Sequence, residues 1–123
     1  MPAYLSPEWF DAADRLVRED PTLRERSRGV HVTVQQTVTD GDASTTWHLV
    51  LDDGAVSLRV GAADAPDVWF TCDRATADAV REGRESAPTA FISGRLRLGG
   101  STTALLEHAS VFTALDDVLG PLR

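Results

Sequence analysis

From Val30 onward, apolar residues recur at every second position, the period at which successive side chains point to opposite faces of a strand. Val30, Val32, Val34 and Val38 alternate with His31, Thr33, Gln35 and Thr37. After Asp40-Gly41-Asp42 the same phase returns in Trp47, Leu49 and Leu51 against Thr46 and His48, with Val50 as the exception. Asp53-Gly54 is a strong hairpin signal, and Val56, Leu58 and Val60 follow it opposite Ser57 and Arg59. Residues 61–66 read as a loop, and Val68, Phe70 and Cys72 as a fourth strand. The turns set the register. A two-residue turn at Asp53-Gly54 pairs Leu51 with Val56, Leu49 with Leu58 and Trp47 with Val60. A four-residue loop over 40–43 pairs Val34 with Leu49 and Val32 with Leu51. Both place apolar opposite apolar, where a slip of one residue would mix the faces. The expectation is a meander with one apolar and one polar face, the pattern of an antiparallel sheet covered on one side.

Helical periods flank this sheet. Ser6-Pro7-Glu8 starts a helix, with Ser6 as cap, Pro7 at the first helical position and Glu8 near the positive end of the dipole. Phe10, Ala13, Leu16 and Val17 line one face until Asp20-Pro21 stops it. Residues 22–29 read as a polar, Arg-rich connector. Asp73 caps a helix over 75–82 that closes at Gly83, with Ala75, Ala79 and Val80 on its inner side. Residues 88–93 form a short turn or helical segment carrying Phe91 and Ile92. Arg95-Leu96-Arg97-Leu98, between glycines, is a short strand with its leucines on one face and its guanidiniums on the other. After Gly99-Gly100, Ser101 caps a final helix presenting Leu105, Leu106, Ala109, Phe112, Leu115 and Leu119. A break is expected at Asp116-Asp117, with a last short turn over 118–122. There is no internal repeat, low-complexity tract or linker, so residues 1–123 read as one α+β domain.

Composition narrows the function classes. A chain of 123 residues buries about two-thirds of its unfolded surface, enough for a single core of two layers. Its 19 acids against 12 basic residues give a net charge of -7, which argues against nucleic acid as a partner. Every basic residue is Arg and there is no Lys, a composition bias expected of a high-GC, bacterial genome. The single cysteine, Cys72, forbids an internal disulfide and suits a reducing compartment. No apolar run approaches the roughly 18 residues of a membrane span, and Met1-Pro2-Ala3-Tyr4 lacks the basic start and apolar core of a signal peptide. A cytoplasmic location is expected.

Candidate chemistry is sparse. In the register above His48 lies opposite Gln35 and Arg59, His31 near Asp52, and His108 alone on the last helix, so no set converges as zinc ligands. Asp40, Asp42, Asp52 and Asp53 are turn residues and Asp73 is a cap. No acid sits at a core-facing strand position, where burial would raise its pKa for general acid work. No Gly-x-Ser-x-Gly elbow occurs. Gly99-Gly100-Ser101 resembles an anion-binding turn but lacks the Lys and spacing of a phosphate loop; a capped strand-to-helix turn is the preferred reading. What remains is an aromatic and aliphatic set, Trp47, Phe70, Phe91 and Phe112, on faces expected to look inward. Periodicity does not separate a packed core from a lined cavity.

Several of these residues, in this order, resemble the sterol carrier protein type 2 family. They are Trp47-His48-Leu49 with Asp53-Gly54, Gly61, Asp67-Val68, Gly83, then Ala90-Phe91-Ile92-Ser93-Gly94-Arg95-Leu96-Arg97-Leu98 and Gly99-Gly100. The pattern spans roughly residues 45–106. It departs from the family at Ser101, where a Gly-Asp pair is usual in place of Gly100-Ser101. The resemblance implies a five-stranded, mostly antiparallel sheet with helices packed on one face and a hydrophobic tunnel between them. It also implies noncatalytic binding and transfer of a sterol, fatty acid or fatty acyl-CoA, with no cofactor and no metal. The C-terminal peroxisomal signal of the family's eukaryotic members is not expected in Gly120-Pro121-Leu122-Arg123. On this basis Trp47, Leu49, Phe70, Phe91, Leu105, Phe112 and Leu115 are the candidate tunnel residues. The final helix, ending at Gly120-Pro121, is the candidate gate. Transient contact with a membrane or an enzyme is left open, as is the oligomeric state. Two rival readings are a solidly packed module that partners an enzyme of lipid or steroid metabolism, and a small enzyme of the ketosteroid isomerase or cyclase type. The second requires an acid or base in the pocket, where the alternation places none.

Overall fold

Ser6, Pro7 and Glu8 start a helix where capping chemistry requires one. The computed structural model describes residues 3–119. In it α1 (Pro7–Glu19) opens with Ser6 Oγ accepting from the Trp9 N–H at 3.1 Å. Its buried face carries Trp9 together with Phe10, Ala13 and Val17, while Leu16 is only half-buried. Asp20 ends α1 and also caps α2 (Pro21–Arg26), its carboxylate accepting from the Leu23 N–H at 2.8 Å. The connector expected over 22–29 is thus partly helical. An Asp-Pro pair that stops one helix is equally a cap and first residue for another. The fully buried Leu23 holds this short helix down.

The alternating segments become β1 (His31–Asp40), β2 (Ala43–Asp52) and β3 (Ala55–Val60), paired antiparallel. The register is the expected one, Val34 opposite Leu49 and Leu49 opposite Leu58. Asp53 and Gly54 both take positive φ, 48° and 91°, the primed geometry that matches the twist of the flanking strands. The first loop is tighter than expected, since Asp40 and Ala43 pair across Gly41-Asp42. β4 (Val68–Asp73) then returns parallel to β1, and β5 (Leu96–Gly100) pairs antiparallel with β4. The sheet order is β3-β2-β1-β4-β5, five strands with one parallel pair. Asp67 anchors that pair: its N–H donates to the Thr33 carbonyl at 2.9 Å and its carboxylate accepts from the Thr33 N–H at 2.8 Å. At the β3 edge the Asp14 carboxylate of α1 accepts from the Leu58 N–H at 2.9 Å, occupying a donor that would otherwise be open to another strand.

Val32, Val34, Val38, Trp47, Leu49, Leu51, Val56 and Leu58 form the buried face of the sheet, continuous with the buried residues of α1 and α2. Val60 shares their phase but lies beyond the cover and is 64% exposed.

The later elements depart further from expectation. α3 (Arg74–Arg81), capped by Asp73, buries Thr76 and Ala77, whereas Ala75 is exposed. α4 (Ala87–Ile92) buries Ala90 and leaves Phe91 51% and Ile92 83% exposed, so Phe91 does not look inward as expected. In so short a helix one position faces the sheet, and its neighbours are carried about 100° further round the axis per residue. The small residue takes the close contact. Gly99 and Gly100 belong to β5 and not to a turn after it. Trp69 is the cross-strand partner of Gly99, and its indole lies over both glycines where any Cβ would strike it. Gly100 also has φ +89°.

The expected final helix is two. α5 (Thr102–Glu107), capped by Ser101, buries no residue, and α6 (Ala109–Leu119) buries Val111, Ala114 and Leu115. The break falls at His108 (φ -112°, ψ 28°), and α6 runs through Asp116-Asp117, where a break was expected. The Gly120-Pro121 break lies outside the described residues.

Candidate functional site

Between the inner face of the sheet and the helices lies a cavity of about 300 Å³, at the small end of the range of about 300–1,000 Å³ for ligand pockets. It is partly open to solvent and not a sealed void. The sheet wall is Val34, Gln36 and Val38 of β1, Trp47 and Leu49 of β2, and Phe70 and Cys72 of β4, with Leu96 of β5 beyond. These occupy the inward phase of their strands, and Thr37 of β1, in the opposite phase, also borders the cavity. The helical wall is Thr76, Ala77, Val80 and Arg81 of α3, and Phe112, Leu115 and Leu119 of α6. Tyr4 and Trp9 complete the lining from the N-terminal side.

Of the seven residues expected around a tunnel, Trp47, Leu49, Phe70, Phe112 and Leu115 line this cavity, and Phe91 and Leu105 do not. Phe91 is turned outward on α4, and Leu105 sits on α5, which the His108 break separates from the α6 wall. Gln36, Tyr4, Trp9 and Arg81 were not among the expected residues. Gln36 could have been found, since it continues the inward phase of Val32, Val34 and Val38 opposite Trp47. Tyr4 and Arg81 meet only through the tertiary fold and leave no periodic signal.

The polar part of the wall is organised around Tyr4. Its ring meets Trp9 edge-on at 5.0 Å, with Arg81 Cζ 4.6 Å and Arg74 Cζ 5.1 Å from the centroid. Trp9 in turn packs edge-on against Phe10 and Trp47, at 5.3 and 6.1 Å between centroids. Burial pushes the Tyr4 phenol up to about 12. Burial also raises the Cys72 thiol, with the Asp73 charge adding to it. Both shifts disfavour the anion. For Asp78 burial acts the same way, yet its hydrogen bonds from Arg81 (3.0 Å) and Arg74 (3.1 Å) prevail and hold its carboxyl below the usual range.

Two buried donors, Trp9 Nε1 and Arg81 Nε, have no hydrogen-bond partner among the described residues. Leaving such a group unpaired costs about 1–3 kcal/mol. His48 Nδ1 lies 2.8 Å from the Gly61 carbonyl and His31 Nδ1 2.9 Å from Asp52, both away from the cavity lining. Among the described residues no group of three or more His, Cys, Asp or Glu could hold a metal ion, and no helix is long and apolar enough to cross a membrane.

Residues 10–113 match the model of the SCP-2 sterol transfer family. A crystal structure of sterol carrier protein 2 is similar over 96% of this chain and 98% of its own, with 25% identity and a TM-score of 0.76. The solution structure of a conserved hypothetical protein from Thermus thermophilus matches over 97% and 89%, with 24% identity and a TM-score of 0.76. The stereoselective inverting sec-alkylsulfatase of a Pseudomonas species matches over 87% of this chain but 16% of its own, with 25% identity and a TM-score of 0.58. No curated protein matches by sequence.

Proposed function

Because this chain belongs to the SCP-2 sterol transfer family, we propose that it binds and carries a hydrophobic small molecule, a sterol, fatty acid or fatty acyl-CoA, without chemistry on it. The observation that carries this reading is the cleft of about 300 Å³ between sheet and helices, walled mainly by apolar side chains. Removing a ligand's apolar surface from water there supplies about 25 cal/mol per Å². In this reading Trp47, Leu49, Phe70, Phe112 and Leu115 touch the ligand and the whole chain acts as one binding domain in the cytoplasm. The gate is α5 together with the His108 break. A helix that buries no residue opens at little cost compared with unfolding the core.

Native mass spectrometry of the purified protein, followed by removal and replacement of lipid, tests the reading. A co-purified lipid, or a thermal shift with sterols, fatty acids or acyl-CoA, is the expected result. Bare protein with no shift on any of them overturns it. One observation favours a second reading, that the chain is a module accompanying an enzyme. The same fold matches a 16% portion of a sec-alkylsulfatase chain, so it also occurs as part of a larger catalytic protein. Bare protein that instead forms a stable complex with an enzyme of lipid metabolism would support that alternative.

A further inference from the structure

Tyr4 lines two clefts. Beside the apolar one of about 300 Å³ lies a second of about 260 Å³, whose wall includes Ser6, Asp40, Ser44, Thr45 and Arg74. Among the described residues, Tyr4 and Val38 alone belong to both walls. Arg74 lines the second cleft, and Arg81, two turns along α3, lines the first. Both guanidiniums lie over the Tyr4 ring, with Cζ 5.1 and 4.6 Å from its centroid. The ring therefore stands where the two clefts adjoin.

The two shared residues are held differently. Val38 is 4% exposed and belongs to β1, where it pairs with Thr45 on one side and Cys72 on the other. It moves only with the sheet. Tyr4 precedes α1, in a turn closed by the Ser6 N–H donating to the Ala3 carbonyl at 3.0 Å. Its phenol has no hydrogen bond to any described residue, so packing and the two guanidiniums hold the ring. Leu5, the next residue in that turn, has φ +66°, uncommon for a bulky side chain. Backbone in so sparse a region persists only where its surroundings hold it, and it clusters at sites that grip a ligand. The turn accepts that strain while Tyr4 and Leu5 both pack against the core.

We propose that Tyr4 is the stop that limits how long a ligand the apolar cleft accepts, its ring closing the passage to the second cleft. A hydrocarbon chain lying in the apolar cleft meets the ring at one end. Methylenes buried before that point add affinity, and those beyond it have no apolar wall to cover. Without the ring the two clefts join, and the same chain runs on past Val38 and Leu5. The proposal rests on the apolar cleft being the ligand site.

The test titrates the delipidated protein with saturated fatty acids from octanoate to stearate. In the unaltered protein Kd is expected to fall about fourfold for each added methylene, the effect of burying one such group, and then to level off. Tyr4→Ala is expected to level off at least one homologue later. Adding Ser44→Trp to Tyr4→Ala fills the second cleft and should return the levelling to the original homologue, which a general loosening of the fold would not do. Should Tyr4→Ala fail to fold, Tyr4→Leu, with a shorter apolar side chain, is expected to shift the levelling in the same direction. No levelling up to stearate in the unaltered protein, levelling of the variant at the same homologue, or a shift that survives Ser44→Trp overturns the proposal and leaves the carrier reading intact. Failure of every fatty acid to bind also overturns the proposal, and if no lipid co-purifies either, the carrier reading falls with it.

Discussion

The two halves of this chain use their apolar residues differently. Up to β3, the large apolar side chains close on one another: Val17, Leu23 and Val34 are almost wholly buried, and Trp9, Phe10 and Trp47 form a mutual edge-to-face cluster. From α4 to α5, Ala90 is the one buried residue among those described, while Phe91, Ile92 and Leu106 face solvent. α6 then rejoins the core through Val111, Ala114 and Leu115. The cleft takes one wall from the tightly packed sheet and the other from α3 and α6, and no described residue of α4 or α5 lines it.

Substitutions on the two sides should separate accordingly. The largest effect is expected at Trp47, which is 2% exposed and shared between the aromatic cluster and the cleft. Trp47→Ala should cost about 3–5 kcal/mol, read as a lowered denaturant midpoint. Next comes Gly100→Ala. A side chain there is strained at φ +89° and strikes both the Trp69 ring and the Asp67 carbonyl, so a loss of about 1–2 kcal/mol or more is expected in the same assay. If it leaves the midpoint unchanged, the β4–β5 edge is looser than the Trp69 contact implies.

A smaller effect concerns pH. The folded-state pKa of Asp78 lies below its ordinary value. Its contribution is therefore present above about pH 4 and is lost as pH falls through the lowered folded pKa. Asp78→Asn should flatten that acid limb of a stability profile and leave the slope above it unaltered. Asp73, also lowered, by the hydrogen bonds it accepts from Thr76, keeps its share. The smallest effect is expected of Phe91→Ser, Ile92→Ser and Leu106→Ser, each within about 0.5 kcal/mol. A loss of several kcal/mol from any of them would break the contrast between the halves.

The same contrast explains what could be read in advance. Strand register was legible because two turns and a period of two constrain it jointly. Val34 opposite Leu49, and Leu49 opposite Leu58, follow from nothing more. The cleft wall contributed by β1, β2 and β4 was legible for the same reason. Phe91 was misplaced because a six-residue helix has too few positions to define a face, and Ala90 beside it was small enough to make the contact. α2 was missed because its Asp20-Pro21 start coincides with the stop of α1. Gln36 stands in the inward phase but is polar, so a pattern of apolar residues alone does not mark it as part of a wall. The pairing of Tyr4 with Arg81 joins positions far apart in the chain and leaves no local trace.

The sheet order β3-β2-β1-β4-β5 carries a consequence for how the chain acquires its shape. The first three strands pair with immediate neighbours through two tight turns, contacts of short sequence separation that form early and fast. β4 reaches β1 only by closing a loop that spans the entire meander, with Val34 against Val68. Until that closure β1 presents an open hydrogen-bonding edge flanked by valines, the kind of surface on which chains pair wrongly. During synthesis the meander leaves the ribosome before β4, so the β1 edge stays open to wrong pairing until β4 arrives.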